Sequence, residues 1–461
     1  MKSSLKIFYI YASILIITLP HCKKQNLRTK FETIANQSQK RFDIEPRWKD
    51  KTCKEQVGDI IDEGMSLNDA ITIGINNNLS LQTTFEEIGI RNSDLIQAGF
   101  YTNPHIETLF KIPKNDKKIL QKNIEVSASF MLSDLWQVPL RKKIAEQELE
   151  VKTHEIVNEI LDLRYNIQKR YITCLYSQAR VDLTKEITET INTLKKRIYY
   201  RYQFGYANDL DKYFVDSKIG EWEVRSIEAE KILLQSYVQL REILGGTISM
   251  KAIHLVDPLK TTTAIPSLEQ LEYIALTSHP GILIEQAKIA RANKLISYEK
   301  SQIIDNVHLG ISYEREFEKR VSGVGPLLSF DIPLFDTNYG NIERAKFLHK
   351  QAEKALAAQQ QAIAKNVTSS YINYVSYIKQ IHHYEKTVIP PVINAIEFGK
   401  EFFDRMQMSM IIFLETQIDL YKHKLELLEL IYKTAIEYAT LEFVTGTQLE
   451  NTEINSQNQS K

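Results

Sequence analysis

Two long stretches of the chain contain almost no helix-breaking residue, and they limit the possible folds more than any other feature. Residues 139–204 contain no Pro or Gly after Pro139, and residues 341–408 are interrupted only by Pro390, Pro391 and Gly399. At 1.5 Å per residue, a helix over either stretch would reach on the order of 100 Å. The sequence therefore predicts long helices at 139–204 and 341–408, with a kink or bulge near Pro390.

Composition supports the same conclusion. The 461 residues include 16 Gly and 12 Pro, about half the usual share of each. Because these two residues mark most turns, a propeller, a sandwich array or a large doubly wound enzyme is disfavoured. Shorter helices are predicted to return after each long one, over 208–244 and 411–444. Asn208 or Asp209 can cap the first of them, and Gly446 suits the end of the second.

Two pairs of segments alternate between apolar and polar residues, which is the period of a strand with unlike faces. They predict hairpins at 104–133 and 305–334. The apolar positions of the first hairpin are Ile106, Thr108, Phe110, Ile112, Ile124, Val126, Ala128, Phe130 and Leu132. Those of the second are Val307, Leu309, Ile311, Tyr313, Val324, Leu328, Phe330 and Ile332.

The chain also resembles itself at an offset of about 200 residues. Ser66-Leu67 recurs as Ser267-Leu268, each with a helix N-cap and a capping-box residue three positions on. Residues 130–145 likewise match residues 330–345. We therefore predict two structural repeats, 66–244 and 267–446, flanked by an N-terminal segment 22–65, a link 245–266 and a tail 447–461.

The N-terminus has the pattern of an export signal. Lys2 and Lys6 precede an apolar stretch that is too short to span a bilayer, so residues 1–21 are predicted to be a signal peptide. Cys22 follows directly, where a bacterial lipoprotein carries its acylated cysteine. Ordinary cleavage nearby, with Cys22 incidental, is the alternative, because His21 is larger than the residue usual at that position. No later apolar stretch reaches 18 residues, so a helical membrane protein is not expected.

Four strands cannot close a barrel, since about eight are needed even for a filled interior. The long helices also look too evenly polar to cover the apolar strand faces. Several chains that each donate four strands to one transmembrane barrel would resolve both problems. Two chains give eight strands and three give twelve, and twelve leave room for an aqueous lumen. The rival interpretation is an exported coiled-coil scaffold lipoprotein without a pore.

No sequence pattern points to catalysis. The chain lacks the G-x-S-x-G, P-loop, H-E-x-x-H and dinucleotide-binding motifs, so we expect no enzyme activity, cofactor or catalytic metal. Its 58 basic and 58 acidic residues balance, and nucleic acid is therefore not an expected partner.

Residues 66–447 resemble the TolC-like outer-membrane efflux protein family, in the style of the lipidated channels of metal and drug pumps. The resemblance rests on the duplicated Ser-Leu opening, the alternating hairpins and the stretch from Ser329 to Asp336, continued by Asn341 to Lys346. It implies mainly helical chains with some strand, arranged as a homotrimer with a twelve-stranded outer-membrane barrel and a periplasmic α-barrel. The residues outside the repeats would form an equatorial collar.

The resemblance also implies a role and partners. The channel would be the exit duct of a tripartite system, set in outer-membrane lipid and docked on a periplasmic adaptor that binds an inner-membrane transporter. Metal ions, drugs and secreted proteins all remain possible cargo, because the transporter mainly sets specificity.

The helical turns of each half would lie at the periplasmic tip. There, the family's ring of gate carboxylates matches Asp209, Asp211 and Glu415, whereas Ile412 occupies a position where an acid is often found. Arg201 and Arg405, one turn earlier, would hold the gate through ion pairs, and the alternative for Asp209 is a helix cap. The expected adaptor contacts at the tip are Gly205, Tyr206, Met408 and Met410.

Overall fold

The computed structural model describes residues 27–48, 64–111, 123–246, 253–259, 265–317, 319–405 and 407–449. The predicted signal peptide, Cys22 and parts of the flanking segments lie outside these ranges. The first half contains α1 (Leu27–Phe42), α2 (Leu67–Asn77), α3 (Leu79–Ala98), β1 (His105–Lys111), β2 (Asn123–Met131), α4 (Asp134–Gln203) and α5 (Asp209–Ile243). The second contains α6 (Leu268–Ser278), α7 (Pro280–Ser301), β3 (His308–Glu316), β4 (Val321–Ser329), α8 (Tyr339–His383), α9 (Ile389–Asp404) and α10 (Met410–Thr445).

The order helix, helix, hairpin, long helix, return helix thus occurs twice. Both opening helices begin with the capping boxes read from the sequence, Ser66 with Asp69 and Ser267 with Gln270. The first long helix begins at Asp134, so Pro139 lies inside it rather than at its start. Since the ring of Pro139 sits near the beginning of the helix, it removes only one backbone hydrogen bond there.

The second long helix is divided, as the two prolines suggested. A five-residue π-helix, Tyr384–Val388, joins α8 to α9. Pro390 has no N–H and its ring would clash with the carbonyl four residues earlier, at Lys386. The wider π turn relieves that clash without ending the helix. The two halves therefore differ in this helix although their element order is the same.

Three apolar clusters hold the helices together. The first joins α1, α2 and α3 to α4 around Phe42, Phe85 and Ile156. The second lies near the helical tip and includes Trp222 and Phe403. The third packs α6 and α10 against α8. Together they bury one side of each helix and leave the opposite sides to other partners.

A buried histidine stands where α1 meets the second half. His279 caps α7, its Nδ1 accepting the N–H of Gly281 at 3.0 Å. Burial lowers the pKa of His279 to about 4, and the positive charge of Arg41 adds to that lowering. Arg41 also donates to the carbonyl of Ser278 and accepts the backbone N–H of Gln448. The neutral imidazole is thus part of the joint between the N-terminal helix and the second half.

We expect the free energy of unfolding to fall as pH drops from about 6.5 towards 4. The folded pKa of His279 lies below its unfolded value, so its contribution is complete above pH 6.5 and is lost as pH falls through the folded pKa. The loss is on the order of 3 kcal/mol. His279→Asn keeps an acceptor for Gly281 and should flatten this pH dependence, measured by chemical denaturation with circular dichroism. An unchanged slope in the variant would contradict the assignment.

Candidate functional site

The four strands form one antiparallel sheet in the order β1-β2-β3-β4, with two unlike faces. The pairing places Ile106, Ala128, Ile311 and Pro326 in one row across the sheet. The next rows on this face contain Thr108, Val126, Tyr313 and Val324, then Phe130, Leu309 and Leu328. Val324 and Ile106 are 72% and 71% exposed, so none of the described residues covers them. The structure confirms the alternation read from the sequence.

The opposite face is polar and acidic. One of its rows contains Glu107, Ser127, Ser312 and Gly325, and the next contains Leu109, Glu125, Glu314 and Gly323. The Ser312 hydroxyl donates to Glu125 Oε1 at 3.2 Å, and the Asn123 amide donates to Glu314 Oε1 at 3.5 Å. The remaining row of the first face, at the hairpin end, contains Phe110, Ile124, Arg315 and Ser322. Apart from Arg315 and Ser322, the first face is therefore mainly apolar, whereas the second carries carboxylates.

Both outer edges of the sheet are open within the chain. Among the described strands, β1 pairs with β2 alone and β4 pairs with β3 alone. Unpaired edge groups favour pairing with another strand. The predicted second hairpin is also shorter than expected, because β4 ends at Ser329 and residues 330–334 leave the sheet.

The long helices form a row in the order α5, α4, α10 and then α8 with α9. The two ends of this row carry exposed apolar side chains. On α5 these are Tyr213, Val224, Ile227, Leu234 and Val238, and on α8 and α9 they are Phe347, Ile372, Phe398 and Phe402. Because such stripes normally pack against another helix, each end of the row presents a surface for a further helix.

The tip of the first half is a tight turn built on Gly205. Its φ of +76° lies in the left-handed region that glycine adopts without strain. Asn208 caps α5 and forms a capping box with Asp211. Asp209 instead accepts the Tyr202 hydroxyl at 2.6 Å. Tyr206, predicted to contact an adaptor, is 66% exposed. Asp211, rather than Asp209, thus takes part in capping the N-terminus of α5.

The tip of the second half differs from expectation at Met410. Met410 is buried in the tip cluster and Met408 packs against that cluster, so Met410 is not a surface contact. Arg201 donates to the Phe403 carbonyl at 2.6 Å, with its guanidinium 4.1 Å from the Phe403 ring. Arg405 lies 3.9 Å from Glu401 on its own helix. Within this single chain both arginines therefore contact α9, and the ion pairs that would hold the gate stay a prediction.

Glu415 lies on the exposed side of α10, one turn after the helix begins. The contact between Arg201 and Phe403 joins the two tips, a role that the sequence did not indicate for Phe403. No local pattern in the sequence signalled this contact, because its two residues lie about two hundred positions apart. The tip thus combines exposed carboxylates with one cation–π contact between the halves.

Polar contacts also join the two halves, beside the apolar tip cluster. Along α4 and α10, hydroxyl pairs join Tyr165 with Thr440 at 3.3 Å, Thr173 with Tyr432 at 3.2 Å and Thr190 with Tyr421 at 3.1 Å. At the end of the seam between α4 and α10 that is farther from the tip, Arg164 and Glu442 form a buried ion pair at 3.2 Å. No local sequence pattern indicates these residues, because their partners lie more than two hundred positions away.

The helices and the clusters of titratable side chains in the described ranges were predicted to hold neither a membrane span nor a metal. None of these helices is long and apolar enough to cross a membrane. The described residues also contain no group of three or more His, Cys, Asp or Glu side chains placed to hold a metal ion.

Comparison with solved structures and curated proteins identifies the architecture. The fold superimposes on the channel CusC with a TM-score of 0.67 at 15% identity, covering 82% of this chain and 91% of that one. It matches the Campylobacter jejuni outer-membrane channel CmeC with a TM-score of 0.63 at 15% identity, covering 91% and 93%. The chain has the TolC-like outer-membrane channel fold. No family model matches the sequence.

A match in sequence supports the same fold. The cobalt-zinc-cadmium resistance protein CzcC of Cupriavidus metallidurans is 20% identical over 388 residues, which cover 83% of this chain and 90% of that protein. The outer-membrane protein VceC of Vibrio cholerae gives a TM-score of 0.67 at 12% identity, covering 83% and 96%. The match extends over nearly the whole length of each relative, so it includes sheet and helices together.

Proposed function

We propose that the protein is the outer-membrane exit channel of a tripartite efflux or secretion system, without catalytic activity. The observation that carries this proposal is the sheet with one exposed apolar face, one acidic face and two open edges. Lipid would cover the apolar face, and the acidic face would line a water-filled lumen. Names of similar proteins, among them outer-membrane channels and a metal-resistance protein, support the same role.

Ring closure follows from the two open edges. Strand β4 of one copy would pair with β1 of the next, and α5 of one copy would pack its stripe against α8 and α9 of another. Both contacts are head-to-tail, so copies related by rotation form a closed ring. A barrel in lipid must close, because the bilayer core offers no partner for edge hydrogen bonds.

Three copies are the smallest ring that suits a channel. Two would give eight strands, whose interior side chains fill, whereas three give twelve and leave a lumen. The helices would then form a tube of twelve, with two repeats per chain, 66–244 and 267–446. The long helix is continuous in the first half but interrupted by a π-helix in the second. Because of this difference, the tube would be only pseudo-sixfold.

The helical turns would form the periplasmic entrance, where an adaptor docks and links the channel to an inner-membrane transporter. Gly205 and Tyr206, exposed at the first tip, would contact the adaptor together with half-buried Met408 at the second tip. Asp209 and Glu415 are exposed near the same end, so three copies would place several carboxylates around a narrow opening. Arg201 would restrain the opening through Phe403.

We expect the double variant Asp209→Asn with Glu415→Gln to lower the cation preference of the channel. Carboxylate rings attract cations and repel anions, and the amides keep the shape without the charge. The measurement is the reversal potential across a planar bilayer under a salt gradient. Glu230→Gln is the matched control, since it removes an exposed carboxylate about 30 Å along α5 from the tip. An unchanged reversal potential in the double variant would show that these carboxylates do not set the cation preference.

The alternative function is that of a scaffold lipoprotein without a pore. Extraction from the membrane distinguishes it from a channel. The channel should remain in the outer-membrane fraction after carbonate washing and migrate as a trimer that dissociates on heating. A scaffold should be released by carbonate as a monomer, apart from any lipid at Cys22. Mass spectrometry of the mature N-terminus tests that modification separately, because an unmodified peptide containing Cys22 excludes it.

A further inference from the structure

The described rows of the apolar sheet face contain a single charged residue, Arg315. It lies in the row of Phe110, Ile124 and Ser322, beside the turn that joins β3 to β4. About 20 Å of strand β3 separates this row from that of Leu309 at the helical end. The charge therefore stands at the end of the sheet that points away from the helices.

The Arg315 side chain extends toward the turn. Its guanidinium lies 5.3 Å from the centre of the Phe317 ring, which belongs to the turn and is 43% exposed. Long basic side chains reach the boundary of an apolar layer in this way while their stems stay on apolar surface. The guanidinium is thus held at the end of the sheet, away from the apolar rows.

A second arginine in the same turn has an uncommon backbone conformation. Arg320 is exposed and has a φ of +51°, in the left-handed region that glycine adopts without strain. Lys319 pairs with Glu316 at 3.0 Å, whereas neither Arg315 nor Arg320 forms an ion pair with a described residue. Each chain therefore presents two guanidinium groups here that no described carboxylate neutralises.

We propose that Arg315 and Arg320 bind the phosphate group of an anionic lipid in the outer leaflet of the outer membrane. This inference rests on the proposed channel function, which puts the apolar face in lipid and this end of the sheet at the outer surface. It adds the class of lipid that the channel recognises there.

Both charge and position fit a phosphate at headgroup level. A guanidinium can donate two parallel hydrogen bonds to one phosphate. Arginine on a lipid-facing strand is strongly destabilising at mid-membrane but costs little at the boundary, which suits Arg315 at the end of the sheet. Phe110 and Ile124 in the same row would contact the acyl chains of the bound lipid.

Native mass spectrometry of the trimer in detergent tests the proposal, with phosphatidic acid as the probe and phosphatidylcholine as the neutral lipid. The double variant Arg315→Gln with Arg320→Asn should bind phosphatidic acid about 25-fold more weakly, because each basic side chain near an anionic lipid contributes about fivefold. Asparagine tolerates the left-handed conformation, so the turn should keep its shape. Binding of phosphatidylcholine should be the same in both proteins.

Two controls define the site and its occupant. Arg225→Gln removes an exposed arginine of α5, away from the sheet, and should leave the affinity for phosphatidic acid unchanged. An equal loss in this variant, or no loss in the double variant, would overturn the inference. Inorganic phosphate at the same concentration should not displace the lipid, because the acyl chains add apolar contacts. Displacement would show that the arginines bind free phosphate and not a lipid.

The same experiment separates this inference from the channel function. A trimer that binds both lipids, but binds phosphatidic acid no better than the double variant does, overturns the inference while the channel stands. If no trimer can be isolated from the outer-membrane fraction, the channel proposal fails and the lipid site fails with it.

Discussion

Val126→Arg should abolish assembly in the outer membrane, whereas Ser127→Arg should be tolerated. The two residues are neighbours on the central strand β2 and point to opposite faces of the sheet. Arginine at mid-membrane on a lipid-facing strand costs about 2–4 kcal/mol. Three copies in one ring would raise this to about 6–12 kcal/mol, more than most folded proteins can lose.

The measurement is the amount of heat-dissociable trimer in the outer-membrane fraction, with total expression followed in parallel. Ser127→Arg is the matched control, since it adds the same charge to the same strand on the face assigned to the lumen. The opposite pattern, a stable Val126→Arg trimer and a lost Ser127→Arg trimer, would show that the two faces are assigned the wrong way round.

Glu442→Ala should strongly destabilise the protein. Glu442 Oε2 accepts hydrogen bonds from both terminal nitrogens of Arg164 and from the Gln168 amide, each at 3.2 Å. Only 5% of each side chain of the ion pair is exposed. Removing one partner of a buried pair leaves an uncompensated charge and typically costs about 3–5 kcal/mol.

Two controls separate lost pairing from lost packing. Arg164→Met combined with Glu442→Leu removes both charges and should recover most of the stability, because apolar replacement of a buried pair is often neutral or stabilising. Glu230→Ala breaks the exposed pair with Lys185 and should change stability by less than about 1 kcal/mol. Thermal unfolding of the purified protein in detergent measures all three. A Glu442→Ala protein as stable as Glu230→Ala would contradict the expectation.

The sequence allowed the helices and strand faces to be predicted because these patterns are local. The absence of Pro and Gly between 139 and 205 requires a long helix, and the alternation through Val126 assigns a face to each strand residue. The prolines at 390 and 391 likewise indicated the irregular turn found at Tyr384–Val388. Each of these inferences depends on residues that are neighbours along the chain.

The long-range pairings were not predictable from one sequence. Strands β2 and β3 pair although nearly two hundred residues separate them, and no local pattern sets which residues oppose each other. The burial of Met410 and the contact of Arg201 with Phe403 arise because the two tips pack together.

Single-channel recording shows directly whether copies of this chain enclose a continuous aqueous path, as we propose. Protein purified from the outer-membrane fraction as the heat-dissociable trimer would be added to a planar bilayer under a salt gradient. We expect discrete conductance steps with a reversal potential that favours cations. Inserted trimers that leave the bilayer electrically silent, also with the Arg201→Ala variant that releases the contact with Phe403, would contradict it.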